Sequence, residues 1–184
     1  MQTTVTETSA PDTLSVLKDP PVTAALVDEL SHLWVRVTNA GGSVGFVPPV
    51  SLEQVRPHTV SILSKVIDRT DTLVAIQKGA AEVVAWCVLT SNDSPPRSSW
   101  RTMRHVQVDP EQQGAGIGGV LLSSVDRVAK NDLGLRALSL KARTGTGAVD
   151  FYQRHGFHEV GRLPRAVEIG PDDWRDDIIM WKEL

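Results

Sequence analysis

Apolar positions in the first third of the chain recur every three or four residues, whereas further on they alternate or run together. Val22, Leu26, Leu30, Leu33 and Val37 share one face of a predicted helix. That helix opens on Pro20 and Pro21, takes Asp19 as its cap and stops before Gly41. Residues 13–17 read as a short first strand before it. Ser51 with Gln54 is a capping-box signal for a second helix bearing Val55, Ile62, Leu63, Val66 and Ile67. Pro57, inside it, is expected to kink or split that helix. The period then shortens. Residues 72–77 and 82–89 are strand-like runs joined by Lys78-Gly79-Ala80, a hairpin signal. A Ser/Pro loop over 91–99 leads to a third run, 100–108. An amphipathic helix over 116–130, a strand over 137–141, a helix over 147–154 and strands over 157–163 and 178–181 complete the chain. Hairpins followed by a β-α-β crossover predict a mixed α/β fold with a mostly antiparallel sheet of roughly six or seven strands, covered by about four helices.

Composition narrows the class. A chain of 184 residues is the size of one domain, expected to occupy 12–184 behind a Thr/Ser-rich tail, 1–11, read as disordered. Residues 1–11 lack the basic and apolar regions of a signal peptide, and no stretch approaches the ~20 apolar residues of a membrane span. A cytoplasmic location is therefore expected, with no membrane partner. The net charge of -3 with no basic block gives no reason to expect a nucleic-acid partner. Cys87 is the sole cysteine, which excludes a disulfide framework and a cysteine-based zinc cluster; no metal is expected.

The chemistry concentrates after the third strand. Val106-Gln107-Val108 runs through Asp109 and Pro110 into Gln113-Gly114-Ala115-Gly116-Ile117-Gly118, where a helix begins. Glycines admit close approach of a ligand to the backbone, and free N–H groups at a helix start attract anions, a pyrophosphate above all. A plain tight turn is one alternative. Another is an NADP-binding reductase, because Gly114, Gly116 and Gly119 satisfy G-x-G-x-x-G literally. A dinucleotide fold, however, expects its strand to enter the glycines directly and an acidic residue about 20 positions on. Instead Pro110 intervenes, and the following strand ends in Lys141, Ala142 and Arg143.

Residues 113–118 resemble the Arg/Gln-x-x-Gly-x-Gly/Ala motif with which GNAT acetyltransferases hold coenzyme A. The preceding Val106-x-Val108-x-Pro110 and the later Ala148-x-x-Phe151-Tyr152-Gln153-Arg154-His155-Gly156-Phe157 are similar to that family as well. The resemblance implies a sheet splayed at an acetyl-CoA site and direct attack of an amine on the thioester. It implies cofactor contacts from Val106, Gln107, Val108, Gln113, Gly114, Ala115, Gly116, Ile117, Gly118 and Tyr152, with main-chain donors near Val108. Tyr152 matches the tyrosine that faces the coenzyme sulfur, making it the candidate general acid; it is also the only tyrosine in the chain. Upstream, Gly41-Gly42-Ser43-Val44-Gly45-Phe46 resembles the glycine-rich loop of the tabtoxin-resistance acetyltransferase and its relatives, so Phe46 is a candidate wall of the acceptor site.

The chain departs from the family on the strand before the loop, where Thr102 and Arg104 occupy positions that commonly carry a Glu or His. Alternation places Thr102, Arg104, Val106 and Val108 on one face and His105 on the other, unless a bulge re-aims it. The missing base points to water or to remote groups such as His58, Asp176 or Asp177, to an acceptor amine of low pKa, or to a coenzyme A-binding sensor without turnover. Arg104 and Lys141 suggest an acceptor with an anionic group near its amine, for example an amino-acid-like compound or antibiotic. Trp174, in an expected loop over 164–177, is a candidate to stack on that acceptor. Either a monomer or a homodimer is expected, the latter by exchange of the last strand.

Overall fold

The computed structural model describes residues 13–79 and 82–184; the 1–11 tail and Ala80 of the first hairpin lie outside them. The elements follow the order β1 (Leu14–Lys18), α1 (Ala24–Asn39), α2 (Leu52–Ile67), β2 (Thr72–Lys78), β3 (Glu82–Thr90), β4 (Trp100–Val108), α3 (Ile117–Arg127), β5 (Ala137–Arg143), α4 (Ala148–Arg154), β6 (His158–Gly170) and β7 (Asp173–Glu183). One sheet of seven strands has the order β1-β2-β3-β4-β5-β7-β6. Every neighbour is antiparallel except β4 and β5, which are joined by the right length of crossover for a parallel pair.

Helices cover both faces. Leu121, Leu122 and Val125 of α3 pack with Val74, Cys87, Leu89, Leu138 and Met180 on one side. On the other, Leu30, Leu33 and Trp34 of α1 and Val55 and Leu63 of α2 close over Leu73, Ala75, Trp86 and Val88. Strands β2 and β3 are thus buried on both faces, which is why they read as nearly continuous apolar runs. Cys87 is wholly buried, and that burial pushes its thiol pKa up, as befits an inert core residue.

Three expectations about elements are corrected. Helix α1 is capped by Thr23, whose hydroxyl accepts from Leu26 N–H at 3.2 Å. Asp19 is instead spent on the sheet edge: at φ +44° its carboxylate accepts from the Leu73 N–H and its own N–H donates to the Leu73 carbonyl. Pro57 does not split α2, which is continuous behind the expected Ser51–Gln54 box. Pro57 is exposed, so water can serve the Glu53 carbonyl that the imide leaves without a donor. Most consequentially, 164–177 is no loop. Strands β6 and β7 form one long hairpin that turns only at 171–172. Pro164 is tolerated because β6 is the sheet edge, where a missing N–H forfeits no ladder bond, and a register shift between Leu163 and Val167 absorbs it. Strand β7 lies between β5 and β6 of its own chain.

Candidate active site

The site starts where β4 and β5 part. Only Trp100, Arg101 and Thr102 pair with β5, against Ala137, Leu138 and Ser139. Beyond Thr102 the strands diverge, leaving the β5 side of the β4 main chain without a strand partner. The N–H of Asp109 donates to Val84 on β3 at 2.8 Å, so by alternation the N–H and C=O of Val108 face the gap.

Past Val108 the chain turns through a short 3-10 segment, Pro110–Gln112, capped by the Asp109 carboxylate. The same carboxylate, nearly buried, is ion-paired with Arg36 of α1, with Nε at 3.0 Å. This pair ties the start of the glycine turn to α1, and sequence inspection missed it because its members lie 73 positions apart. Gly114 and Gly116 then take φ +80° and +81°, conformations that strain any residue with a Cβ. Among the described residues no hydrogen bond satisfies the N–H groups of Gly114 to Gly119. They stand as a row of free donors at the start of α3. Gly118 has a different role: a Cβ there would meet the Phe151 ring at 3.0 Å, so it lets α3 approach α4.

Two cavities meet in the gap. One, of about 600 Å³, is lined by Gln113, Gly114, Gly116, Gly118, Val106, Val108 and α4, with Gly41 to Val44 along its other wall. The second, of about 360 Å³, is lined by Thr102, Met103, Arg104, His105, Ser139, Lys141 and Gly45. Ser43, Val44, Val106 and Tyr152 line both. Tyr152, projected from α4, is 9% exposed. Its burial pushes the phenol pKa well above the ordinary value, so the hydroxyl stays protonated through the neutral range.

The acceptor side differs from the expected pattern. Trp86 pairs with Gln107 and Val88 with Arg104, so two steps on β3 face three on β4. The extra residue is a bulge, and His105 within it adopts φ +54°. Alternation is thereby reset: Val106 and Val108 pack with the α3 face, whereas His105 joins Thr102 and Arg104 in the second cavity. The expectation that Thr102, Arg104, Val106 and Val108 share a face is therefore overturned. The His105 ring lies 5.9 Å from Trp86, stacked at 19°, and 4.7 Å from Trp34. Burial, then the nearby Arg104 and His58 charges, lower its pKa to about 4, so it is neutral at physiological pH.

The remaining candidates divide. Gln113 lines the first cavity, but its amide donates to the Val108 carbonyl at 3.2 Å and so braces the turn. Ala115 is exposed on the turn, Ile117 is core, and the Gln107 side chain is 1% exposed with neither polar atom hydrogen-bonded. Lys141 lines the acceptor cavity, yet its ammonium is 3.1 Å from Asp177, which neutralises it. Asp176 accepts from Arg162 and from the Arg165 N–H, and those contacts hold its carboxyl below the usual range, making it a poor base. Phe46 is not among the cavity-lining residues; it packs edge-on against Trp34 and His58 behind the wall. Trp174 is exposed, paired with Glu168 on the distal hairpin and away from the residues that line the cavities. No helix among the described residues is long and apolar enough to cross a membrane, and no three potential metal ligands cluster among them.

A sheet with a single parallel pair is not the doubly wound sheet a dinucleotide fold requires, which removes the reductase reading. The chain belongs to the GNAT acetyltransferase family: the model of the acetyltransferase (GNAT) domain matches residues 68–159. Among solved structures, it is similar to a protein named, provisionally, as a phosphinothricin N-acetyltransferase (18% identity, TM-score 0.75, covering 94% of this chain and 99% of that one). It is similar too to a ribosomal-protein-alanine N-acetyltransferase from Brucella melitensis (18%, TM-score 0.73, 92% and 99%). A third is yncA, assigned provisionally as an acetyltransferase, from Salmonella typhimurium, solved with acetyl-CoA (14%, TM-score 0.72, 93% and 94%). At these identities the likeness is one of fold. No curated protein matches the chain.

Proposed function

We propose that this chain transfers acetyl from acetyl-CoA to the primary amine of a small molecule, with Tyr152 as general acid. The observation that carries this reading is the meeting of two cavities at one buried tyrosine, one walled by free backbone N–H groups and the other by side chains. The N–H groups of Gly114 to Gly119 fit a pyrophosphate, and the unpaired β4 main chain from Val106 to Val108 fits an extended amide-bearing arm. Acetyl-CoA supplies an acetyl thioester, to which the amine adds directly as the C–N bond forms and the C–S bond breaks. Tyr152 gives its proton to the departing sulfur and recovers one from solvent. Its buried hydroxyl is kept protonated for that step.

His105 receives a different part. A ring with pKa about 4 is far too weak to deprotonate an ammonium of pKa about 10. It can accept a hydrogen bond from a neutral amine, and it can take the nitrogen's proton once attack on the carbonyl has made that proton acidic. The chain thus selects amines that arrive neutral, and Arg104 beside the ring disfavours a second positive charge. Retention of Tyr152 and of a ring nitrogen in the acceptor cavity supports turnover over a silent coenzyme A sensor. The test is thiol release from acetyl-CoA across a panel of neutral-pH amines, with NADP binding as a control. Acetyl-CoA binding without any thiol release would leave the sensor reading; NADP binding in its place would overturn both.

A further inference from the structure

The acceptor cavity continues into a groove of about 790 Å³ through the residues they share, Thr102, Arg104 and His105. Nothing in the acetyl transfer itself requires this space. Its walls bring three cations together from three separate elements: Lys65 from α2, Arg97 from the turn before β4, and Arg104 from β4. Among the described residues none of the three makes an ion pair or a side-chain hydrogen bond, whereas Lys141 in the adjoining cavity is neutralised by Asp177. Two carboxylates also line the groove. Asp71 is buried and accepts from the Ser91 N–H, and Asp93 is exposed on the loop; neither is within ion-pair distance of the three cations. Unpaired cations around a concavity focus a positive potential inside it, and guanidinium groups suit oxyanions in particular.

The spacing sets a length. Strand β4 carries His105 at the acceptor end of the groove and Thr102 three residues nearer to the Arg97 turn. Three residues at the strand rise are roughly 10 Å. An extended chain covers that distance in about three residues.

Resting on the acetyltransferase reading above, we propose that this groove is an acceptor subsite for a carboxylate or phosphate held roughly 10 Å from the reacting amine. The acceptor class is then a small acidic amine about the length of a tripeptide, with its amine at His105 and its oxyanion between Lys65 and Arg97. Amino acids, whose carboxylate sits beside the amine, are too short to use this subsite.

Matched acceptors test it: a tripeptide ending in glutamate, the same tripeptide with its carboxylates amidated, and free alanine. The acidic tripeptide is expected to have the highest kcat/KM, by about tenfold over its amide. Lys65→Gln and Arg97→Gln should each reduce that preference roughly threefold and together abolish it, with kcat/KM for the amide unchanged. Equal rates for acid and amide, a preference that survives the double variant, or a faster reaction with neutral or basic peptides would each overturn the subsite. A second readout is independent of turnover. Glutarate added to the isotope-labelled protein, with coenzyme A present to fill the glycine turn, should shift the amide resonances of Lys65, Ser91 and Arg97, and should not do so in the double variant. Shifts there without any thiol release would uphold an oxyanion site in the groove and sink both the acetyltransferase reading and the acceptor role; thiol release with no such shifts would sink the subsite alone.

Discussion

On one side of Tyr152 the cleft is lined by main chain, and on the other by side chains. The proposed coenzyme side has six unsatisfied N–H groups from Gly114 to Gly119, two glycines at positive φ and the open edge of β4. The proposed acceptor side has His105, Arg104, Thr102 and a neutralised Lys141, with His105 turned inward by one bulge. A main-chain site depends on conformations that few residue types permit, so the residue types announce it. A side-chain site depends on which way each residue points, and one inserted residue reverses that without changing composition.

The largest effect should come from Tyr152, the one phenol among the residues common to both sides. Tyr152→Phe is expected to lower kcat by ~10²–10⁴-fold while acetyl-CoA affinity in calorimetry stays within about twofold. Wild-type turnover in that variant would make Tyr152 a packing residue and leave the two sides without a shared catalytic group.

His105→Phe tests the acceptor side alone, since it keeps the stacking on Trp86 and Trp34 but removes the ring nitrogens. A fall in kcat/KM of roughly 10–100-fold is expected, smaller than for Tyr152 because so weak a base contributes less. The same variant carries a pH signature. The wild-type ring has a folded pKa of about 4 against 6.5 ordinarily, so between those values the unfolded chain binds the extra proton. Folding stability should therefore fall as pH drops from 6.5 towards 4, by about 2–3 kcal/mol at the acid end, and be unaffected above 6.5. His105→Phe should lack this component in thermal melts; identical acid profiles would place the ring in solvent.

Gly116→Val tests the coenzyme side. Open space surrounds that Cα, so the change strains the backbone at φ +81° without a collision and should weaken acetyl-CoA binding at least ~10-fold. Gly118→Val is the poorer probe, since its side chain would press on Phe151 and disturb the α3–α4 packing. Smallest is Arg36→Ala, which removes the tie between α1 and Asp109. With the Arg36 side chain 45% exposed, about 1 kcal/mol of stability should be lost in denaturant melts. The effect on acetyl-CoA affinity should be larger than that on acceptor KM, because Asp109 caps the turn that leads to the glycines.

The asymmetry also explains what could be read from sequence. Gly114 and Gly116 declare the left-handed turn before α3, Ser51 and Gln54 the start of α2, and the apolar runs of β2 and β3 their double burial. That Tyr152 would stand in a cleft was legible because its neighbours form a motif. His105 was not, because strict alternation assigns it to the wrong face and the bulge is set by pairing with β3, a long-range choice. Asp19 looked like a helix cap because caps and edge turns favour the same short acid; the fold used it for the turn. Pro164 concealed the long β6–β7 hairpin because a proline is admissible on an edge, and edge status is not written locally.

The short pairing of β4 with β5 has a further consequence. Three register pairs leave this molecule with an unpaired strand edge in the middle of its sheet as well as at the rims. Exposed edges invite other chains to add strands and aggregate. Here the glycine-rich segment from Gly41 to Val44 and helix α4 stand on either side of the opening, and Arg143 donates to the Gly41 carbonyl. Walled in this way, the internal edge is harder for another polypeptide to reach than a bare strand edge, which is the protection that a covering helix or loop ordinarily gives.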